Sequence, residues 1–273
     1  MTLRYREWEP VPAAAGLIEA IWSLSDRELQ PASEPQRVLP DGCSELILNF
    51  DDPVSQVLED GSLFRQPRLL FVGQIPGPFY FTPSGRLELI GIRFRPAGAA
   101  GLIREPQSRL VGLSHSLQEL TPSLARELAG AAFDAPDPES RVRLIQAALV
   151  AHARPRFSPI PMVADRLIRR GGNGSVDELV SQTGLGARQF ERRFLAEVGL
   201  RPKLFARICR FQQVFRVLEQ QPAHWARVAA DCGYYDSSHL IRDFRELSGE
   251  TPVRLVQESH QLTRLFTRAR RMS

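Results

Sequence analysis

The sequence predicts an α+β chain in two parts. A β-rich N-terminal barrel or sandwich with a helical appendage is followed by an all-α domain, in which two helix-turn-helix units are joined by a long helix. Three observations carry this. The first ~95 residues alternate short apolar runs with turn residues, helical spacing takes over after Pro96, and the second half repeats itself at about 50 residues. With 273 residues, 43% hydrophobic and 24% charged, the chain has the balance of a globular protein and length enough for two cores.

The predicted strands are Leu17 to Trp22, Ser44 to Phe50, Arg68 to Val72 and Leu87 to Arg95. Turns at Pro40-Asp41-Gly42, Pro53, Gly61, Pro76-Gly77-Pro78 and Pro83-Ser84-Gly85 separate them. Helical spacing then runs through Ala97 to Ile103, Ser116 to Ala129 and Glu139 to Ala151, with Asp137-Pro138-Glu139 as a helix start. Arg154 to Pro161 holds three prolines in eight residues and reads as a linker. These signals divide the chain into 1–155 (β-rich over 1–95, helical over 97–152), a helical domain over 160–258 and a basic tail over 259–273.

Beyond the linker, a helix from Met162 to Arg170 stops at Gly171-Gly172. Ser175 and Glu178 form a capping box for the next. Pro202 opens a long helix reaching about Gln221, and Pro222 ends it and starts another. The repeat lies across this helix. Val176 to Leu185 with Ala187 to Gly199 and Pro202 matches Trp225 to Tyr234 with Ser238 to Gly249 and Pro252. Gly184 and Gly233 stand where each chain copy leaves its first helix in a left-handed conformation. At 100° per residue Ala187, Phe190, Phe194 and Val198 share a buried stripe, leaving Arg188, Glu191 and Arg192 outward. In the second copy Leu240 and Phe244 face inward, and Ser238, Ile241 and Arg242 outward. The connecting helix spans about 30 Å at ~1.5 Å per residue, close to the ~34 Å between successive major-groove turns on one face of DNA.

Charge supports a polyanion partner for the second half only. Residues 1–155 carry 15 Lys+Arg against 19 Asp+Glu, or −4, whereas 156–273 carry 20 against 12, or +8. Cys43, Cys209 and Cys232 are far apart, and the five histidines lack ligand spacing, so neither a disulfide framework, a metal nor a cofactor is expected. No apolar run reaches the ~18 residues of a membrane span, and the N-terminus lacks a signal peptide's apolar stretch; a soluble cytoplasmic protein is expected. A nucleophile motif, a phosphate loop and a carboxylate pair are all missing, so no enzyme is expected.

At this point the chain resembles the AraC/XylS family of bacterial transcription regulators. The likeness rests on Ala187 to Phe194, Gly199 to Pro202, Cys232 to Phe244 and Gly249 to Pro252. It implies seven helices over 160–258, sequence-specific binding to double-stranded promoter DNA, and usually activation, with RNA polymerase as a partner. The family's base-reading positions fall on Arg188, Glu191 and Arg192, and on Ser237, Ser238 and Arg242 with His239 beside them. Arg192 and Arg242 suit a guanine edge bidentately, and Ile241 a thymine methyl. Gln189, Arg193, Lys203 and Arg207 are the expected phosphate contacts. Some AraC-like proteins repair alkylated DNA through an N-terminal four-cysteine zinc site; a single cysteine before residue 200 excludes that here.

The N-terminal half more loosely resembles a less characterised sensor type attached to AraC-like domains, through Pro40 to Leu46 and Gly91 to Ala100. It implies a small-molecule effector; the alternative is a homodimerisation or partner-docking module without a ligand. Trp22, Phe50 and Arg93 are the effector-site candidates. Arg93 and Arg95 share a strand face opposite Ile92 and Phe94. The expectation is an exterior, solvated arginine, the alternative an inward Arg93 holding a carboxylate ligand. Cys43 reads as a small buried hydrophobe or a redox sensor, and Cys209 and Cys232 as core.

Overall fold

The computed structural model describes residues 3–28, 35–220 and 224–257. Its first part is built of β1 (Arg4–Trp8), β2 (Ile18–Asp26), β3 (Gln36–Val38), β4 (Glu45–Asn49), β5 (Val54–Val57), β6 (Leu63–Arg65), β7 (Leu69–Val72), β8 (Phe79–Pro83), β9 (Leu87–Phe94) and β10 (Ser114–Ser116). They form two antiparallel sheets, one ordered β1-β2-β9-β4-β7-β10 and the other β3-β8-β5-β6. The larger sheet lies in the middle of three layers. Alternation along β4 sends Leu46 and Leu48 into a core shared with helices, while Ile47 and Asn49 face the smaller sheet. On β9, Ile90, Ile92 and Phe94 pack with the helices, and Leu87 and Leu89 with the smaller sheet. Gly91 lies against the Trp22 indole: a Cβ there would come within 2.1 Å of the ring, so the close approach requires glycine.

The four expected strands are β2, β4, β7 and β9. The other six escaped notice because they are three to five residues long and mix polar with apolar residues, as in Gln36-Arg37-Val38. Three-residue strands carry too few residues for a period of two to register. The helical appendage differs in detail. Ala97 adopts φ +65 and only a 3-10 turn forms, at Ala99–Gly101. The expected helix over 116–129 is instead two, α1 (Leu117–Leu120) and α2 (Pro122–Asp134), because Pro122 opens a new helix and cannot continue the old one. In α3 (Pro138–His152) the Asp137 carboxylate caps the helix, accepting from Ser140 N at 2.9 Å.

The linker has no regular structure over 153–158 but is held at both sides. Arg154 N donates to Gly101 O at 3.0 Å, and Ser158 Oγ to the Glu197 carboxylate at 3.0 Å. Among the described residues seven helices follow: α4 (Ile160–Arg169), α5 (Val176–Ser181), α6 (Ala187–Val198), α7 (Pro202–Gln220), α8 (Trp225–Asp231), α9 (Ser237–Ser248) and α10 (Pro252–Gln257). Their core includes Phe190, Phe194, Phe205, Phe211 and Phe244, together with Cys209 and Cys232. Pro222 and the 259–273 tail lie outside the described residues. Among those described, no helix is long and apolar enough to cross a membrane.

The two halves share a surface that the sequence did not announce. Leu39, just after β3, is part of the helical core. The next residue, Pro40, accepts a 2.6 Å hydrogen bond from Gln212 Nε2 on α7, and Arg37 donates to Ser248 O at the end of α9 at 3.0 Å.

Candidate nucleic-acid interface and a cavity in the N-terminal half

Each unit is a short helix, a glycine turn and a twelve-residue second helix, α6 or α9. Gly184 (φ +68) and Gly233 (φ +76) adopt the left-handed conformation expected. The second turn is further secured by Asp236, whose carboxylate accepts from His239 N at 2.7 Å. On α6, Phe190, Phe194 and Val198 are buried, and Arg188, Gln189, Glu191, Arg192 and Arg193 are all exposed. Ala187 departs from its expected place on the buried stripe. It is exposed, because it is the helix's first residue and stands beyond the core. On α9, Leu240, Phe244 and Leu247 are buried and Ser238 and Arg242 exposed, with Ser237 and His239 half-buried. The His239 ring meets Tyr234 edge-on, with centroids 5.2 Å apart. Ile241 was expected to face outward but packs against the helical core.

The repeat breaks at one informative position. Arg193 is exposed on α6, but its counterpart fifty residues on, Asp243, is 3% exposed. Arg207 supplies its partner: the guanidinium lies 2.8 Å from Asp243 Oδ1 and 2.6 Å from Glu246 Oε2. Arg207 therefore ties α7 to α9 and does not present the free cation that a phosphate contact needs. Lys203, one turn earlier, is exposed. Arg207→Met is expected to destabilise the helical domain by about 1–3 kcal/mol in urea unfolding, since it leaves Asp243 buried without a partner. The Arg207 hydrogen bonds hold the Glu246 carboxyl below its usual range. That contribution is present above the ordinary carboxylate pKa and is lost as pH falls through the lowered one, so wild type and variant converge in acid.

Between the two sheets of the N-terminal half lies a cavity of about 60 Å³, walled by Trp22, Ile47, Phe79, Phe81 and Leu89 among others. Among the described residues Glu45 is its one charged lining residue. Glu45 also borders a smaller chamber of about 20 Å³, with Asp41, Cys43 and Arg93. Arg93 is 2% exposed, which overturns the exterior expectation. Strand parity was read correctly, but the face opposite Ile92 and Phe94 is covered by the second sheet and not by water. Arg93 Nε lies 3.1 Å from Glu45 and 3.4 Å from Asp41, and Trp22 Nε1 donates to Glu45 at 3.2 Å. Burial pushes the Glu45 carboxyl above its usual range; Arg93 opposes this and Asp41 adds to it.

Of the three effector candidates, Trp22 lines the larger cavity and Arg93 the chamber, but Phe50 is elsewhere. Its ring packs on Phe133 at 4.7 Å and under the Arg141 guanidinium at 4.1 Å, on the opposite side of the larger sheet. It is one residue past Asn49, so the alternation points it away. Glu45 and Asp41 were missed as partners. The signal was available in part, since Glu45, Ile47 and Asn49 share the parity of an inward face. Cys43 is buried, as the small-hydrophobe reading expected, with its thiol 3.1 Å from Glu19 Oε2.

Comparison with known proteins adds the following. A family of helix-turn-helix domains matches residues 179–258, and a domain of unknown function (DUF6597) matches residues 6–116. No curated protein matches the sequence. Among solved structures, ToxT from Vibrio cholerae is 6% identical with a TM-score of 0.46, over 94% of this chain and 98% of that one. Unsaturated fatty acid-bound ToxT gives 6% and 0.43 over 93% and 94%. The AraC-like transcriptional activator CuxR gives 13% and 0.26 over 81% and 87%. The matched domain begins in α5 and covers both glycine-turned units and the rod between them. Residues 179–258 thus belong to that family of helix-turn-helix domains, which supports a DNA-binding transcription regulator.

Proposed function

We propose that the chain is an effector-responsive activator that inserts α6 and α9 into successive major grooves of promoter DNA and works through RNA polymerase. The observation that carries the DNA reading is the pair of twelve-residue helices with exposed arginines at matching positions, Arg192 and Arg242, at either side of one long helix. Arg188, Glu191 and Arg192 read one half-site. Ser237, Ser238, His239 and Arg242 read the other, and Gln189, Arg193 and Lys203 bind phosphates. On an operator obtained by in vitro selection, hydroxyl-radical footprinting should give two protected patches about 10 bp apart on one face of the duplex. A single patch would sink the two-groove reading.

Effector response is supported by how the cavity connects to the helices. Val38 lines the cavity, Leu39 is in the helical core, and Pro40 bonds α7. Three consecutive residues thus join the sensor interior to the rod that spaces the two units. A second reading, dimerisation through the N-terminal half, is favoured by β6, an edge strand whose Leu63 and Phe64 are exposed. It requires a footprint duplicated about a twofold centre, whereas the monomer gives two patches only.

A further inference from the structure

We infer that the cavity between the sheets receives a small apolar ammonium compound, with Glu45 as its anchor. This deepens the effector reading above and rests on it. The walls are largely hydrocarbon and aromatic, with Trp22, Phe79 and Phe81 among them, so the body of the occupant is apolar. Its polar end is defined by charge. Around the cavity and the adjoining chamber, the described lining residues include two carboxylates, Glu45 and Asp41, and a single cation, Arg93. Arg93 is already committed to both carboxylates, at 3.1 and 3.4 Å. Inside the cavity an anionic ligand would lie against the Glu45 carboxylate, with no uncommitted guanidinium among the described lining residues. An ammonium group would instead balance the surplus negative charge.

Glu45 also has capacity left. Trp22 and Arg93 both bond Oε1, and among the described residues Oε2 accepts no hydrogen bond. Burial raises this carboxyl's affinity for a proton, and Arg93 offsets that only in part. Size restricts the occupant further. The cavity is about 60 Å³, whereas a dry cavity of about 150 Å³ accommodates benzene, so the alkyl body is smaller than a six-carbon ring, of about three carbons. Asn49 and Gln66 line both the cavity and an open surface depression beside it, which marks a path inward.

The test is calorimetric titration of the full chain with three probes that share one alkyl body: isopropylamine, isopropyl alcohol and isobutyrate. The amine is expected to bind about tenfold or more tighter than the alcohol, and the carboxylate not to bind. E45Q should erase the preference of amine over alcohol. V54F, which fills the cavity from β5, should abolish binding of all three. Should E45Q not fold, V54F still decides: wild-type amine affinity in that variant overturns the assignment of the site. Tighter binding of the alcohol or the carboxylate overturns the ligand class and leaves an effector site standing. Binding by none of the three overturns the proposal. Amine binding that leaves operator affinity unchanged overturns the effector reading instead and not the site.

Discussion

Arg93→Met is expected to lower the stability of the N-terminal half by about 3–5 kcal/mol, read as a shifted midpoint in denaturant unfolding. The size follows from what is left behind. Arg93 is 2% exposed and lies between Glu45 and Asp41, so its removal strands two carboxylates in a region with no other lining cation. The sign of the pH dependence is fixed by the same geometry. The Glu45 carboxyl already sits above its ordinary range in the folded protein, and loss of Arg93 raises it further. A group raised on folding favours the native state below its unfolded pKa, and that benefit is lost as pH rises through the folded value. The deficit should therefore be deepest near neutrality and shrink as the medium is acidified through the carboxylate range. A deficit under 1 kcal/mol at neutral pH would show that the cluster is not the electrostatic keystone its burial implies.

Arg192→Ala and Arg242→Ala are each expected to weaken binding to the selected operator by about 1–3 kcal/mol, roughly 5- to 150-fold, and to relax specificity at one position of its half-site. Both side chains are exposed on helices whose opposite faces are locked by buried phenylalanines, so substitution should leave the fold intact. Arg193→Ala and Lys203→Ala should behave differently, weakening specific and non-specific binding alike and lowering the salt slope by about one. Wild-type operator affinity in both Arg192→Ala and Arg242→Ala would defeat the assignment of α6 and α9 as recognition helices.

The DNA-binding half was largely legible from the chain alone, because its information is local. A helix's buried face is written every three or four residues, and here it is written twice, with Gly184 and Gly233 marking the same turn in both copies. The exceptions lie where local rules stop applying. Ala187 falls at a helix end, beyond the reach of the core. Ile241 turns inward against a neighbouring element, and Arg207 is claimed by Asp243 and Glu246 from a helix 36 and 39 residues away.

The N-terminal half shows the opposite balance. Four of its ten described strands could be read, β2, β4, β7 and β9, and the alternation along β9 correctly set Arg93 opposite Ile92 and Phe94. Whether that opposite face met water could not be read, because it depends on β3, β5, β6 and β8, whose three to five residues acquire meaning only when paired. The same pairing decides that Trp22 borders a cavity while Phe50 packs outside it. The sequence by itself determined the two-part α+β division, the paired helix-turn-helix units and their outward arginines. Only the tertiary structure decided that Arg93 is buried, that Arg207 is a brace, and that Leu39 and Pro40 join the two halves. Helical periodicity is a property of neighbours in the chain, whereas burial of a strand face and the pairing of distant charges are properties of what folds over them.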